Sequence, residues 1–139
     1  MTYTLSLHPN ARDDLKSLQG QEPEAAARIL ALLQQAKVDQ KLLDAFTIQD
    51  FGAHRTEAIH VQQITSQQRR GRDRNLWRIK IWSLEDERLN FRVVYALDPR
   101  VSRYTVLGVV PRAFNYDESH PLTQRIVAAY DSLGIPSYR

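Results

Sequence analysis

Leu76-Trp-Arg-Ile-Lys-Ile-Trp82, Asn90-Phe-Arg-Val-Val-Tyr-Ala-Leu97 and Tyr104-Thr-Val-Leu-Gly-Val-Val-Pro111 follow one another along the chain, and their reading decides the fold. Each is a short apolar run rich in β-branched and aromatic residues, the composition of a strand. Side chains alternate faces along a strand. Trp77, Ile79 and Ile81 therefore share one face of the first run, while Arg78 and Lys80 share the other. In the second, Phe91, Val93 and Tyr95 point away from Arg92, and the third run leads into Arg112, with Tyr116 just beyond. A sheet that buries one face and threads cations through the other is built to hold negative charge. Residues 83–89 and 98–103 are polar and read as hairpin connections, so the three runs predict an antiparallel meander.

Upstream, Tyr3, Leu5 and Leu7 alternate with polar residues and predict a short opening strand. Pro9 fits the first turn of a helix with Ala11, Leu15 and Leu18 on one face, Asp13 and Asp14 near its positive end, and Gly20 as its stop. A second helix starts near Pro23 and Glu24 and carries the stripe Ala25, Ala26, Ile29, Leu33, Ala36, antiparallel to the first. Leu42, Leu43 and Phe46 read as a half-turn or packed loop, and Ala58-Ile-His-Val61 as an added strand. Residues 62–75 are polar and arginine-rich, with Arg69, Arg70, Arg72 and Arg74, and predict a loop. Leu122, Ile126, Ala129 and Leu133 predict a last helix, ended by Gly134 and Pro136. The order argues an α+β fold: an N-terminal strand and helical hairpin packed on an antiparallel β-meander, with a C-terminal helix. One domain is expected over residues 1–139, with an irregular insertion at about 45–75.

The net charge of +3 is mild but unevenly spread. Residues 69–112 hold ten Arg and one Lys against five acids, a local balance of +6, whereas residues 1–68 carry −2 and residues 113–139 carry −1. Arginine outnumbers lysine fifteen to four, and its planar fork suits phosphate oxygens. Nucleic acid is the partner this asymmetry favours, against the plainer reading of a solvated surface. No apolar run nears the roughly 20 residues that cross a bilayer, so no membrane is expected. The first residues lack the pattern of a secretory leader, and cysteine is absent; both fit a cytoplasmic protein.

The element order, with Leu76-Trp-Arg-Ile-Lys-Ile, Phe91-Arg-Val-Val-Tyr and Val106-Leu-Gly-Val-Val-Pro-Arg112, resembles the RelE/ParE superfamily of toxins from bacterial type II toxin–antitoxin systems. A weaker echo lies in His8-Pro-Asn-Ala-Arg-Asp-Asp-Leu15. The resemblance implies a ribosome-dependent mRNA endonuclease, inhibited by a cognate antitoxin and working on mRNA beside ribosomal RNA. In RelE-like enzymes the RNA's own 2′-hydroxyl attacks the scissile phosphate, leaving a 2′,3′-cyclic phosphate and a 5′-hydroxyl, with no metal and no cofactor. By position Arg78 and Lys80 match the basic pair of the first meander strand, Arg92 the arginine before Val-Val-Tyr, and Arg112 the arginine after the last strand. Tyr116 is nearest to the family's tyrosine, though closer to Arg112 than in RelE.

The chemistry is sound in itself. A phosphorane carries more negative charge than the bound phosphate, so preorganised cations lower the barrier. Lys80, flanked by like charges, could accept the 2′-hydroxyl proton, and Tyr116, Asp117 or His120 could protonate the leaving 5′-oxygen. The arginines at 69, 70, 72 and 74 are candidate contacts to nucleic-acid backbone or an acidic antitoxin segment. Trp82 is a candidate for base stacking, or for packing under a loop. Plainer readings stand beside these: Arg78, Lys80 and Arg92 as a wet sheet face, Tyr116 and Asp117 as caps, Glu85, Asp86 and Glu87 as solvation of a turn. His54 and His60, with Asp50 and Glu57 near, match no metal spacing and read as structural or surface residues. Two rival functions follow from the same fold: a ParE-like gyrase inhibitor without nuclease activity, and a non-catalytic RNA-binding module.

Overall fold

The computed structural model describes residues 2–64, 74–112, 117 and 119–135. The three runs are strands β3 (Leu76–Ile81), β4 (Phe91–Asp98) and β5 (Arg103–Pro111), joined by antiparallel ladders. The added strand forms as β2 (Ile59–Gln63), antiparallel to β3, and the opening strand β1 (Thr4–Leu7) runs parallel to β5. The sheet thus has five strands in the order β1-β5-β4-β3-β2. With five helices beside it the fold is mixed α and β.

Helices α1 (Pro9–Gln21) and α2 (Pro23–Lys37) lay their apolar stripes on the face carrying Ile59, Val61, Trp77, Ile79, Val93, Tyr95, Tyr104 and Val106. Gly20 does not stop α1. The break falls at Glu22, because Pro23 crowds the residue before it out of helical geometry (φ −138°, ψ 76°). Asp14 does not serve the helix dipole either: its carboxylate reaches the sheet edge and accepts the Val109 N–H at 2.9 Å. That edge is open because β1 ends at Leu7, opposite Val106, and β5 bulges just after it. Leu42, Leu43 and Phe46 sit in α3 (Gln40–Asp44) and a 3-10 turn at Ala45–Thr47, and Phe46 is fully buried against Tyr95 and Tyr104.

Two differences from the sequence reading matter for the site. Residues 83–89 are not a plain hairpin connection: α4 (Trp82–Asp86) forms there, because Leu84 buries completely and pins the turn to the core. Nor is the second sheet face wholly cationic. The C-terminal helix α5 (Pro121–Ser132) covers one end of it, packing Ile126, Ala129 and Tyr130 on Leu76, Val94, Ala96 and Leu107. Arg125 ties α5 to Asp14 (2.8 Å) and to the Asn10 carbonyl (3.0 Å), and Arg74 binds Asp131 through both carboxylate oxygens at 3.1 Å. Among the described residues, the other end of that face is where the charge lies. No helix among the described residues is long and apolar enough to cross a membrane.

Candidate functional site

The charged end of the sheet is a row set by register. His60 on β2 stands opposite Lys80 on β3, Lys80 opposite Arg92 on β4, and Arg92 opposite Val110 on β5. One step along, Gln62 stands opposite Arg78 and accepts from its guanidinium at 2.8 Å. Beyond Val110 the chain leaves β5 at Arg112, whose N–H donates to the Asn90 carbonyl at 2.7 Å and whose residue is exposed. The sheet therefore brings together Arg78, Lys80, Arg92 and Arg112 as the alternation requires. Burial is the largest influence on Lys80, followed by the Arg92 and Arg78 charges, with a smaller one from Arg112. Together they hold its ammonium below the usual lysine range, against an opposing pull from Glu85.

Arg92 is buried, and its guanidinium meets Glu85 of α4 at 3.2 Å in a pair whose side chains are only 9% and 10% exposed. Glu85 is thus not solvation of a turn, whereas Asp86 and Glu87 are more than half exposed. Glu85 holds Arg92, Asp86 holds Arg55 at 2.7 Å, and Glu87 holds Arg28. Removing one partner of a buried pair strands the other's charge. Glu85→Ala should therefore lower stability by about 3 kcal/mol in urea titrations at neutral pH.

Trp82 is not an open stacking platform. Its ring stacks on His60 (centroids 5.4 Å apart, planes 12° from parallel), the Arg55 guanidinium lies over the ring at 4.3 Å, and its N–H donates to the Gly52 carbonyl at 2.9 Å. His60 is itself buried, with Nε2 3.2 Å from Asp50 Oδ1. The segment bearing Asp50 and Arg55 is latched to the outer edge of β2, Asp50 N–H donating to Val61 O and Val61 N–H to Phe51 O. At Gly52 (φ +74°) a Cβ would overlap the Ile59 carbonyl oxygen. Gly52→Ala is expected to cost about 2 kcal/mol through that overlap, and to shift Trp82 fluorescence as its bond to residue 52 is lost.

Of the five buried side-chain polar atoms without a hydrogen bond among the described residues, four belong to the segments that build this end: His60 Nδ1, Glu85 Oε2, Asn90 Oδ1 and Arg92 Nε. Such atoms are rare, and each costs roughly 1–3 kcal/mol unless something else makes use of it. Sequence spacing missed His60 and Glu85. Their partners lie across strands and along a helix too short to show a period, so only the pairing register reveals them.

The remaining candidates fall elsewhere. Arg74 lies beside α5 in its pair with Asp131, away from the row. Asp117 accepts from the Ser119 N–H and hydroxyl, each at 2.9 Å, and the His120 ring caps α5 by accepting the Leu122 N–H at 3.0 Å. Arg69, Arg70, Arg72 and Tyr116 lie outside the described residues. Among the described residues no cluster of His, Asp and Glu is placed to hold a metal ion.

No family model matches the chain, and no curated protein matches it. A solved structure similar to it is an archaeal RelE–RelB complex from Pyrococcus horikoshii OT3, at 20% identity over 81% of this chain and 98% of that one, with a TM-score of 0.46. A likeness at that level is too loose to assign a family or a function.

Proposed function

We propose that this chain is a RelE-like ribonuclease, the toxin of a type II toxin–antitoxin pair, cutting mRNA in the ribosome. The observation that carries this reading is Lys80 set directly across from Arg92. Like charges at facing positions weaken a sheet by roughly 0.2–1 kcal/mol, and burying the guanidinium adds to that cost. Glu85 anchors Arg92 in the fold, but that pair does not call for a lysine on the facing strand. The arrangement suits a centre where negative charge builds up. As the 2′-oxygen bonds to phosphorus and the bond to the 5′-oxygen breaks, Arg78, Lys80, Arg92 and Arg112 would face the charge of the phosphorane. Tyr116 is offered as the donor that protonates the departing 5′-oxygen.

The other roles follow from this one. Arg69, Arg70 and Arg72 are proposed as contacts to ribosomal RNA backbone; Arg74 joins them only by exchanging Asp131 for a phosphate. Trp82 is better cast as the wall that holds His60 than as a base-stacking surface. The family resemblance implies an antitoxin that covers the basic end, a cytoplasmic setting and no cofactor. The test is induction of the wild type and of a Lys80→Ala, Arg112→Ala double variant, with mRNA 5′ ends mapped and gyrase assayed in parallel. Codon-phased cleavage lost in the variant supports the ribonuclease. Gyrase arrest with intact mRNA overturns it in favour of the ParE-like reading, and RNA binding without cleavage in favour of a binding module.

A further inference from the structure

Resting on that reading of the site, we propose that His60, oriented by Asp50, is the proton acceptor of the cleavage step, and that Lys80 beside it serves as a fixed cation. His60 is paired with Lys80 across β2 and β3 in the row of the site. The ring is held in plane by Trp82 on its face, and at its edge by Nε2 lying 3.2 Å from Asp50. With Nε2–H donated to that carboxylate, Nδ1 is the bare nitrogen, and Nδ1 is buried without a hydrogen bond. A histidine anchored at one nitrogen by a carboxylate with the other left as an acceptor is the arrangement of a general base. Nδ1 is closed to solvent in the free protein, so the 2′-hydroxyl meets it only once bound RNA has shifted the side chains that cover it.

The proton balance is complete. The 2′-oxygen bonds to phosphorus as its proton passes to Nδ1, the imidazolium formed is offset by Asp50, and the P–O5′ bond breaks with a proton delivered to O5′ by another group. Hydrolysis of the cyclic phosphate is not required. The ring's charged partner is Asp50; the other charged groups on the elements near it are Arg55 over Trp82, Lys80 on the facing strand β3, and the Arg92–Glu85 pair beyond. In this assignment Lys80, with Arg92, Arg78 and Arg112 acting on it, adds to the positive charge that the phosphorane meets.

The test joins kinetics to a direct view of the ring. His60→Gln should lower single-turnover cleavage of ribosome-bound mRNA by about 100-fold, the usual contribution of a general base. It should also abolish the rise of rate with pH on the acid limb, and leave binding of an RNA oligonucleotide with a 2′-deoxy cleavage position within about twofold. Added imidazole should partly restore His60→Ala. In histidine-¹⁵N spectra of the wild type, Nε2 should carry the proton, and the Nδ1 signal should move when that oligonucleotide binds. Cleavage by His60→Gln within about threefold of wild type, or an unchanged pH profile, overturns the assignment. So does a bound oligonucleotide that leaves Nδ1 unmoved. Wild-type protein inert towards both ribosome-bound mRNA and the oligonucleotide overturns the reading of the whole site, a result distinct from failure of His60 alone.

Discussion

Changing Lys80 and Arg112 together to alanine should lower RNA cleavage by about 10⁴-fold or more and leave the protein folded. Loss of one preorganised charge-stabilising group typically costs about 10²–10³ in rate, and the proposed centre takes one such group from β3 and one from just past the end of β5. The pair is the right one to remove because neither holds the fold. Arg112 is exposed at the end of β5, and its backbone bond to Asn90 survives truncation. Burial and the charges of Arg92 and Arg78 all work against the Lys80 ammonium, so its removal relieves a strain. The variant should therefore melt no lower than the wild type. Arg92 is the wrong probe. Its loss would leave Glu85 ionised and buried without a partner, and any fall in activity would be mixed with about 3 kcal/mol of lost stability. A double variant that melts normally and still cleaves within tenfold of wild type would remove the cations from the chemistry.

The strands and their faces were legible in the sequence because alternation is a local property. Trp77, Ile79 and Ile81 lie in the core, and Arg78 and Lys80 on the opposite face, as the pattern requires. What alternation cannot tell is which part of a face a later helix will cover. The sequence reading gave the whole second face to charge, whereas α5 takes the end bearing Leu76, Ala96 and Leu107. Nor can it anticipate a short helix fixed from outside. Trp-Ser-Leu-Glu-Asp at 82–86 has the composition of a turn, and becomes helical because Leu84 finds the core. From that one element came both corrections at the site: Glu85 turned inward to Arg92, and Trp82 closed off by His60 and Arg55. His60 was unreadable for a related reason. Its significance is a pairing with a residue twenty positions away, which depends on β2 joining this edge of the sheet in one register.

Alkali should weaken the protein steadily between about pH 10 and 12, and Tyr95→Phe should lessen that loss while weakening the protein at neutral pH. Tyr95 and Tyr104 are fully buried and pack on Phe46, with the Tyr95 hydroxyl donating to the Phe46 carbonyl at 2.5 Å. Burial raises both phenols, Tyr104 to about 12 and Tyr95 well above its ordinary value. A raised folded-state value means that the unfolded chain loses its proton first. The stabilisation is whole below the unfolded value near 10 and is lost as pH climbs from there. Tyr104 alone gives up about 2 kcal/mol by pH 12, and Tyr95 adds to it, against a total stability of about 5–15 kcal/mol for a domain of this kind. Lys80 acts in the opposite sense, because its lowered value favours the folded state more as pH rises towards 10.5, but one lysine cannot offset two phenolates. In Tyr95→Phe the hydroxyl's bond to Phe46 is gone, which costs about 1 kcal/mol at pH 7. The variant also has one fewer phenol to ionise. Its stability curve should cross that of the wild type near pH 11, measured by urea unfolding at stepped pH with circular dichroism. Parallel curves, with the variant weaker throughout, would show that Tyr95 does not govern the alkaline loss of stability.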